Sequence, residues 1–229
     1  LGVQADYLES LSDADFEPNI AALAEEGYDL IFTVGFLMTD ATSNMAAAYP
    51  DSRFAIMDVA YDPPIPNVAG VLFASDEAAF PAGYLAAGWA ALRDPTDPQI
   101  GFVGGMQIPP VEQFTVGYTN GAAYYNLQNG TDVQVKGVYV GSFVAYDEGV
   151  AQANLLIDQG VDVIFAVGGE TGNGALAAVK DRGKWGIGVD VDQYYQLPDV
   201  RDILLTSAMK RLDNAAYAVT RKTQLGSFP

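Results

Sequence analysis

An α/β fold built on parallel sheets is what this 229-residue sequence predicts, and three observations predict it. Short apolar runs rich in β-branched residues alternate with helical stretches along the whole chain, the pattern of strands joined through crossover helices. One run occurs twice. Gly27-Tyr28-Asp29-Leu30-Ile31-Phe32-Thr33-Val34-Gly35 and Gly160-Val161-Asp162-Val163-Ile164-Phe165-Ala166-Val167-Gly168 share six of nine positions at an offset of 133. The next strand is echoed too: Phe54-Ala55-Ile56-Met57-Asp58 parallels Gly186-Ile187-Gly188-Val189-Asp190, and both end in aspartate. Two copies of one α/β unit account for this. Each copy then presents loops at the carboxyl ends of its strands, where open parallel sheets bind ligands.

Taken in order, residues 3–9 read as a short strand. The helix 16–26 has apolar spacing at Phe16, Ile20, Leu23 and Ala24, and Gly27 stops it. Strand 28–35 follows, then a turn at Phe36-Leu37-Met38 and a helix opening near Thr39 that Pro50 ends. Strands 53–59 and 68–74 flank the rigid loop Asp62-Pro63-Pro64-Ile65-Pro66. Ser75-Asp76-Glu77 starts an Ala-rich helix to residue 92. Arg93-Asp94-Pro95-Thr96-Asp97-Pro98 is the clearest linker signal, and it divides the chain into residues 1–98 and 99–209, with 210–229 packing back onto the first part. Beyond it come strand 100–104, helix 111–127, strand 133–140, helix 146–159 and the repeat strand 161–167. The Gly-rich stretch 168–174 reads as a tight turn before helix 174–182. Strand 186–190, strand 203–208 and helix 213–225 complete the chain. Asn129-Gly130-Thr131 is read as a turn. The second copy's opening strand and helix, 99–131, have no counterpart in the first, which is expected to lack its initial βα unit, as in a fragment.

Composition narrows the function. Half the residues are hydrophobic, enough for a substantial core. The longest apolar run, 78–92, holds Pro81, Gly83 and Gly88 and is too short to span a bilayer. Net charge is −18, from 29 acidic against 11 basic residues, which argues against nucleic acid or an anionic membrane as partner. There is no cysteine, hence no disulfide, thiol chemistry or zinc-thiolate site. There is no histidine, which excludes Ser-His and Cys-His triads and the commonest metal ligand. No catalytic residue, metal ligand or cofactor site is assigned.

Four stretches can carry chemistry. Gly168-Gly169-Glu170-Thr171-Gly172-Asn173-Gly174 lacks the lysine of a phosphate loop. Its glycines fit close backbone approach, and backbone N–H groups at a helix start can contact a polar ligand. Asp190 and Asp192 alternate along a strand and so face opposite ways, a poor catalytic pair. Asp192 fits a helix cap. For Asp190 a ligand role, accepting hydrogen bonds from neighbouring hydroxyls, stands beside the same capping role, and the echo at Asp58 favours the ligand role. Phe143, in the loop after strand 133–140, is either a stacking platform or a packing residue. Lys210 follows strand 203–208 at a strand-end loop, although a lone lysine is ordinarily a solvated charge.

At these residues the sequence resembles the basic membrane protein family, the PnrA-like nucleoside-binding lipoproteins with a type I periplasmic-binding-protein fold. The resemblance rests on Gly35-Phe36-Leu37-Met38-Thr39-Asp40-Ala41, Phe54-Ala55-Ile56-Met57-Asp58, Ala82-Gly83-Tyr84-Leu85-Ala86, Tyr139-Val140-Gly141-Ser142-Phe143, Gly188-Val189-Asp190-Val191-Asp192-Gln193 and Thr206-Ser207-Ala208-Met209-Lys210-Arg211, in the family's order. It implies a two-lobed extracytoplasmic protein that closes on a purine nucleoside and delivers it to an ABC transporter permease, with membrane attachment only through a lipid anchor outside this chain. By position, Phe143 resembles one of two phenylalanines that sandwich the base, and Asp190 the carboxylate that grips the ribose hydroxyls. Lys210 is its polar partner, Asp58 is similar to an aspartate contacting the base, and Gly169 matches a glycine whose backbone lines the pocket. Phe36, within a matching motif, joins them as a candidate contact. The family's opening strand and its Ser-Phe-Asn segment are not matched. The alternatives are a nucleoside hydrolase, which needs converging carboxylates, and a ligand-sensing domain with the same fold.

Overall fold

A computed structural model describes residues 2–228. They form two compact units, one made of residues up to Phe73 together with those from Arg211 onward, the other of Ala74–Lys210.

In the first unit, α1 (Phe16–Glu25) precedes β1 (Ile31–Val34). A single 3-10 turn (Phe36–Met38) leads into α2 (Thr39–Ala48), and β2 (Phe54–Met57) and β3 (Val68–Val71) follow. The three strands are parallel, in the order β1-β2-β3. β2 is fully buried, as the central strand of a sheet covered on both faces must be. Asn67 ties the layers together: its side-chain amide donates to the carbonyls of Ala46, Tyr49 and Ser52, satisfying the end of α2 at the start of β3.

The second unit opens with α3 (Ser75–Arg93), β4 (Gln99–Gly104), α4 (Pro109–Asn129), β5 (Gln134–Tyr139) and α5 (Tyr146–Asp158). It continues through β6 (Val163–Val167), α6 (Gly169–Asp181), β7 (Trp185–Asp190), the short α7 (Gln193–Gln196) and β8 (Leu204–Met209). Its five strands are parallel in the order β5-β4-β6-β7-β8. From β4 the chain steps outward to β5, then crosses back to β6. The β4–β6 boundary is therefore the topological switch point, where such sheets leave a crevice at their carboxyl ends. The last helix, α8 (Leu212–Gln224), belongs to the first unit, where Val219 packs with Ala55 and Ala69.

The repeat is visible in three dimensions as well. β1-β2-β3 and β6-β7-β8 run in the same order with the same parallel sense, and β1 and β2 carry the sequences echoed in β6 and β7. Among the described residues, β4 and β5 have no counterpart in the first sheet.

Three expectations change. Residues 3–9 form no strand: Val3, Tyr7 and Leu8 are all about half exposed or more, with no ladder partner to satisfy an extended backbone. The division of the chain falls at Phe73/Ala74 instead of after residue 98, and Lys210 stays with the second unit. The Arg93–Pro98 linker only joins α3 to β4, its Asp94 carboxylate accepting from Thr96 and Asp97. The reason lies in α3, which is pressed onto α4 backbone to backbone. A Cβ on Gly83 would stand 1.9 Å from the Tyr118 carbonyl oxygen, and one on Gly121 would stand 2.0 Å from that of Phe80. Finally, 168–174 is not a turn, because α6 already begins at Gly169. Its later glycines are contact points inside the helix; a Cβ on Gly174 would stand 2.1 Å from the Tyr146 carbonyl oxygen of α5.

Candidate functional site

The carboxyl edge of the five-stranded sheet gathers four of the six candidate residues: Phe143, Gly169, Asp190 and Lys210. Asp58 and Phe36 lie in the first unit, after β2 and β1 respectively.

Phe143 sits over the switch point. Its ring lies where a Cβ on Gly105, just past β4, would come within 2.5 Å of Cδ1, and Gly105 in turn closes on Gly168, just past β6. The glycines at the ends of β4 and β6 thus make room for an aromatic ring at the crevice. Gly169 carries the positive φ of 54° and is exposed, with the Phe143 carbonyl oxygen only 3.0 Å from where its Cβ would be. Thr171, fully buried, straps this loop down. Its hydroxyl donates to the Ser142 carbonyl at 2.7 Å and accepts from the Ala145 N–H at 3.0 Å, and its own N–H donates to the Phe143 carbonyl at 3.2 Å. Phe143 also packs at the rim of the main core, which is the packing reading of the two offered for it.

Asp190 ends β7 in the left-handed region, at φ 64°. The Val191 N–H donates to the Val189 carbonyl at 2.7 Å across it, forming a γ-turn of the rarer, positive-φ kind. Lys210 follows directly on the neighbouring β8 and meets Asp190 twice. Its N–H donates to the Asp190 carbonyl at 2.8 Å, and its Nζ stands 3.4 Å from Asp190 Oδ1. The Lys210 side chain is only 9% exposed and its ammonium lies 5.3 Å from the Phe114 ring centroid, so this is not the solvated charge that a lone lysine suggests. Asp190 keeps 44% exposure, leaving carboxylate surface open to a ligand. Beneath them Phe114 and Tyr118 both pack on Phe165, and burial pushes the Tyr118 phenol well above its ordinary pKa.

Asp190 and Asp192 do not alternate along one strand, since β7 stops at Asp190. Asp192 caps α7, its carboxylate accepting from the Tyr194 N–H at 3.2 Å. In the first unit Asp58 follows β2 at φ 72°, and its N–H donates to the Val71 carbonyl at 2.8 Å. Asp58 and Asp190 are the only non-glycine residues at positive φ among those described. Such backbone is uncommon outside glycine and is retained where the surroundings enforce it. Phe36 begins the 3-10 turn after β1 and packs partly into the first unit's core.

Sequence reasoning missed three supports of this edge. Gly105 is visible only as the glycine just past a strand that itself ends in glycine, Thr171 only as a hydroxyl in a helix's first turn, and Gln193 only as the residue after a cap. Among the described residues, no group of three or more histidines, cysteines or acidic residues stands close enough to hold a metal ion.

Parallel sheets flanked by helices, with polar groups at the switch-point edge, define the type I periplasmic-binding-protein fold. The chain belongs to the family of PnrA-like ABC transporter substrate-binding proteins, whose model matches residues 2–229. An ABC transporter solute-binding protein from Aeropyrum pernix superposes with a TM-score of 0.85 at 35% identity, covering 96% of this chain and 61% of that one. A Pyrococcus abyssi protein described as an uncharacterized lipoprotein is 36% identical over 100% of this chain and 57% of its own length. The ABC transporter nucleoside-binding protein BmpA of Lactococcus lactis is 33% identical over 97% of this chain and 65% of its own. The chain thus spans about three-fifths of the length of these relatives. No described helix is long and apolar enough to cross a membrane.

Proposed function

We propose that the protein is an extracytoplasmic substrate-binding protein that takes a purine nucleoside and hands it to an ABC transporter, without chemistry on it. One observation carries the reading: Asp190, fixed by a γ-turn and by Lys210, shares the carboxyl edge of one sheet with Phe143 and Gly169. A carboxylate whose buried Oδ1 is backed by an ammonium and whose other oxygen stays exposed suits the hydroxyls of a ribose, which donate to that open oxygen. An aromatic ring at the crevice suits the flat face of a base. Asp58 and Phe36 are proposed as further ligand contacts, on the strength of the repeat and the shared backbone of Asp58 and Asp190. The nucleoside-binding name of the Lactococcus relative supports the ligand class, and the lipoprotein name of the Pyrococcus relative supports a lipid-anchored, extracytoplasmic parent.

The test is isothermal titration with adenosine, inosine, guanosine and the free base adenine. Binding of nucleosides with adenine at least about tenfold weaker is expected, because a polar site left facing no hydroxyl is penalised. Equal affinity for adenosine and adenine overturns the role given to Asp190. Guanosine recovered intact after hours with the protein separates binding from hydrolysis; release of guanine overturns the binding reading.

A further inference from the structure

β7 leaves its neighbour early. It pairs with β6 only from Trp185 to Ile187, while its pairing with β8 continues to Asp190. Beyond Ile187 its inner edge is taken over by one side chain. Gln193 is buried, and its Oε1 accepts from the Val189 N–H at 3.0 Å. Its backbone N–H donates to Ser207 Oγ of β8 at 3.1 Å, and its Nε2 reaches Asn173 Oδ1 of α6 at 3.4 Å. Gly188 is what admits it: a Cβ there would stand 2.7 Å from Gln193 Oε1 and 2.6 Å from Ser207 Oγ. Gln193 therefore joins β7 and α6 through its side-chain amide and β8 through its backbone N–H, around Val189, the residue on which the γ-turn at Asp190 closes.

We infer that Gln193 is a positioning residue for the ligand site, holding the Val189–Val191 turn so that Asp190 meets Lys210 and faces the ligand. The inference rests on the nucleoside reading above. In water a positive-φ aspartate relaxes readily, because the right-handed and extended regions are lower in energy. The Val189 N–H must keep an acceptor for the turn to stay closed, since a buried N–H left without one is costly. Gln193 supplies that acceptor without touching the ligand itself.

The measurement is the affinity ratio for inosine over 2′,3′-dideoxyinosine, which lacks the vicinal 2′ and 3′ hydroxyls, in wild type, Gln193→Met and Gln193→Glu. Wild type is expected to favour inosine by about tenfold or more. In Gln193→Met, which fills the space without an acceptor, the ratio is expected to fall to about one through loss of inosine affinity, with dideoxyinosine little changed. Gln193→Glu keeps an acceptor and is expected to keep the preference. A ratio retained in folded Gln193→Met overturns the inference alone; no preference in wild type overturns the nucleoside reading along with it. Should Gln193→Met not fold, Gly188→Ala, which displaces Oε1, carries the same test, and a wild-type ratio there overturns the inference.

Discussion

Lys210 holds Asp190 at two points, its N–H 2.8 Å from the aspartate carbonyl and its Nζ 3.4 Å from Oδ1. The first contact belongs to the β7–β8 ladder and survives any side-chain change. The second depends on the ammonium alone. Lys210→Met keeps an unbranched side chain over Phe114 and removes only the charge. It is expected to leave the melting temperature near wild type while weakening nucleoside binding by about tenfold, since the carboxylate loses its ionic partner. Titration calorimetry beside a thermal melt reads both. Unchanged affinity in a folded variant would mean that the backbone contact is sufficient.

The Phe143 loop leads to a second expectation. Thr171→Val keeps the shape of the side chain and removes the hydroxyl that serves Ser142 and Ala145. The Ala145 N–H, at the entry to α5, then has no acceptor. A loss of about 2 kcal/mol in urea unfolding is expected, the cost of stranding partly buried polar groups. Base-bearing ligands should bind less tightly as well, because Phe143 is no longer strapped over the switch point. A stability within about 0.5 kcal/mol of wild type would show that the Thr171 backbone contact holds the loop by itself.

Much of this arrangement was legible beforehand, for identifiable reasons. The repeated strands are runs such as Ile164-Phe165-Ala166-Val167, buried on both faces, so their sequences state their place directly. Asp58 and Asp190 stand out because a charge at the end of such a run has little packing reason to be there. The conformation they share was not legible, since aspartate visits positive φ more readily than most residues but still uncommonly, and no local sequence pattern marks where it does. The glycines of 168–174 misled for a related reason. A glycine that lets two helices touch, as Gly174 does at Tyr146, looks in sequence like one that turns the chain. The domain boundary was missed likewise, because Gly83 and Gly121, which bind α3 to α4, carry less local signal than the prolines of the linker. Thr171 acts on residues 26 to 29 positions away, and Gln193 joins its near neighbour Val189 to Ser207, 14 positions on, so no local pattern records either role.

At the start of α8, Arg211 donates twice to the Asp213 carboxylate, at 2.9 Å each. These bonds hold the Asp213 pKa down at about 2, below its ordinary value. A carboxyl whose pKa is depressed by folding contributes stability above its unfolded pKa of about 4. That contribution is lost as pH falls from there through about 2. Carbon-detected NMR titration should place the Asp213 midpoint near 2 in wild type, and Arg211→Gln should return it toward the ordinary carboxylate range. A midpoint unmoved by the substitution would assign the depression to the helix N-terminus instead.

Tyr118 offers the opposite case, a polar atom whose removal should help. Its ring is fully buried between the helices and the sheet, 5.1 Å from that of Phe165, and its hydroxyl has no hydrogen-bond partner among the described residues. Folding gives that hydroxyl no protein partner among the described residues, and a buried polar group so left costs about 1–3 kcal/mol. Tyr118→Phe keeps the ring and its contacts while removing the stranded group. It is expected to raise unfolding stability by about 1 kcal/mol, the remainder being offset by the small void that the lost oxygen leaves. Chemical denaturation of both proteins with unchanged slope makes the comparison. A destabilised Tyr118→Phe would mean that the hydroxyl has a partner in solution, and a buried water beside it would be sought.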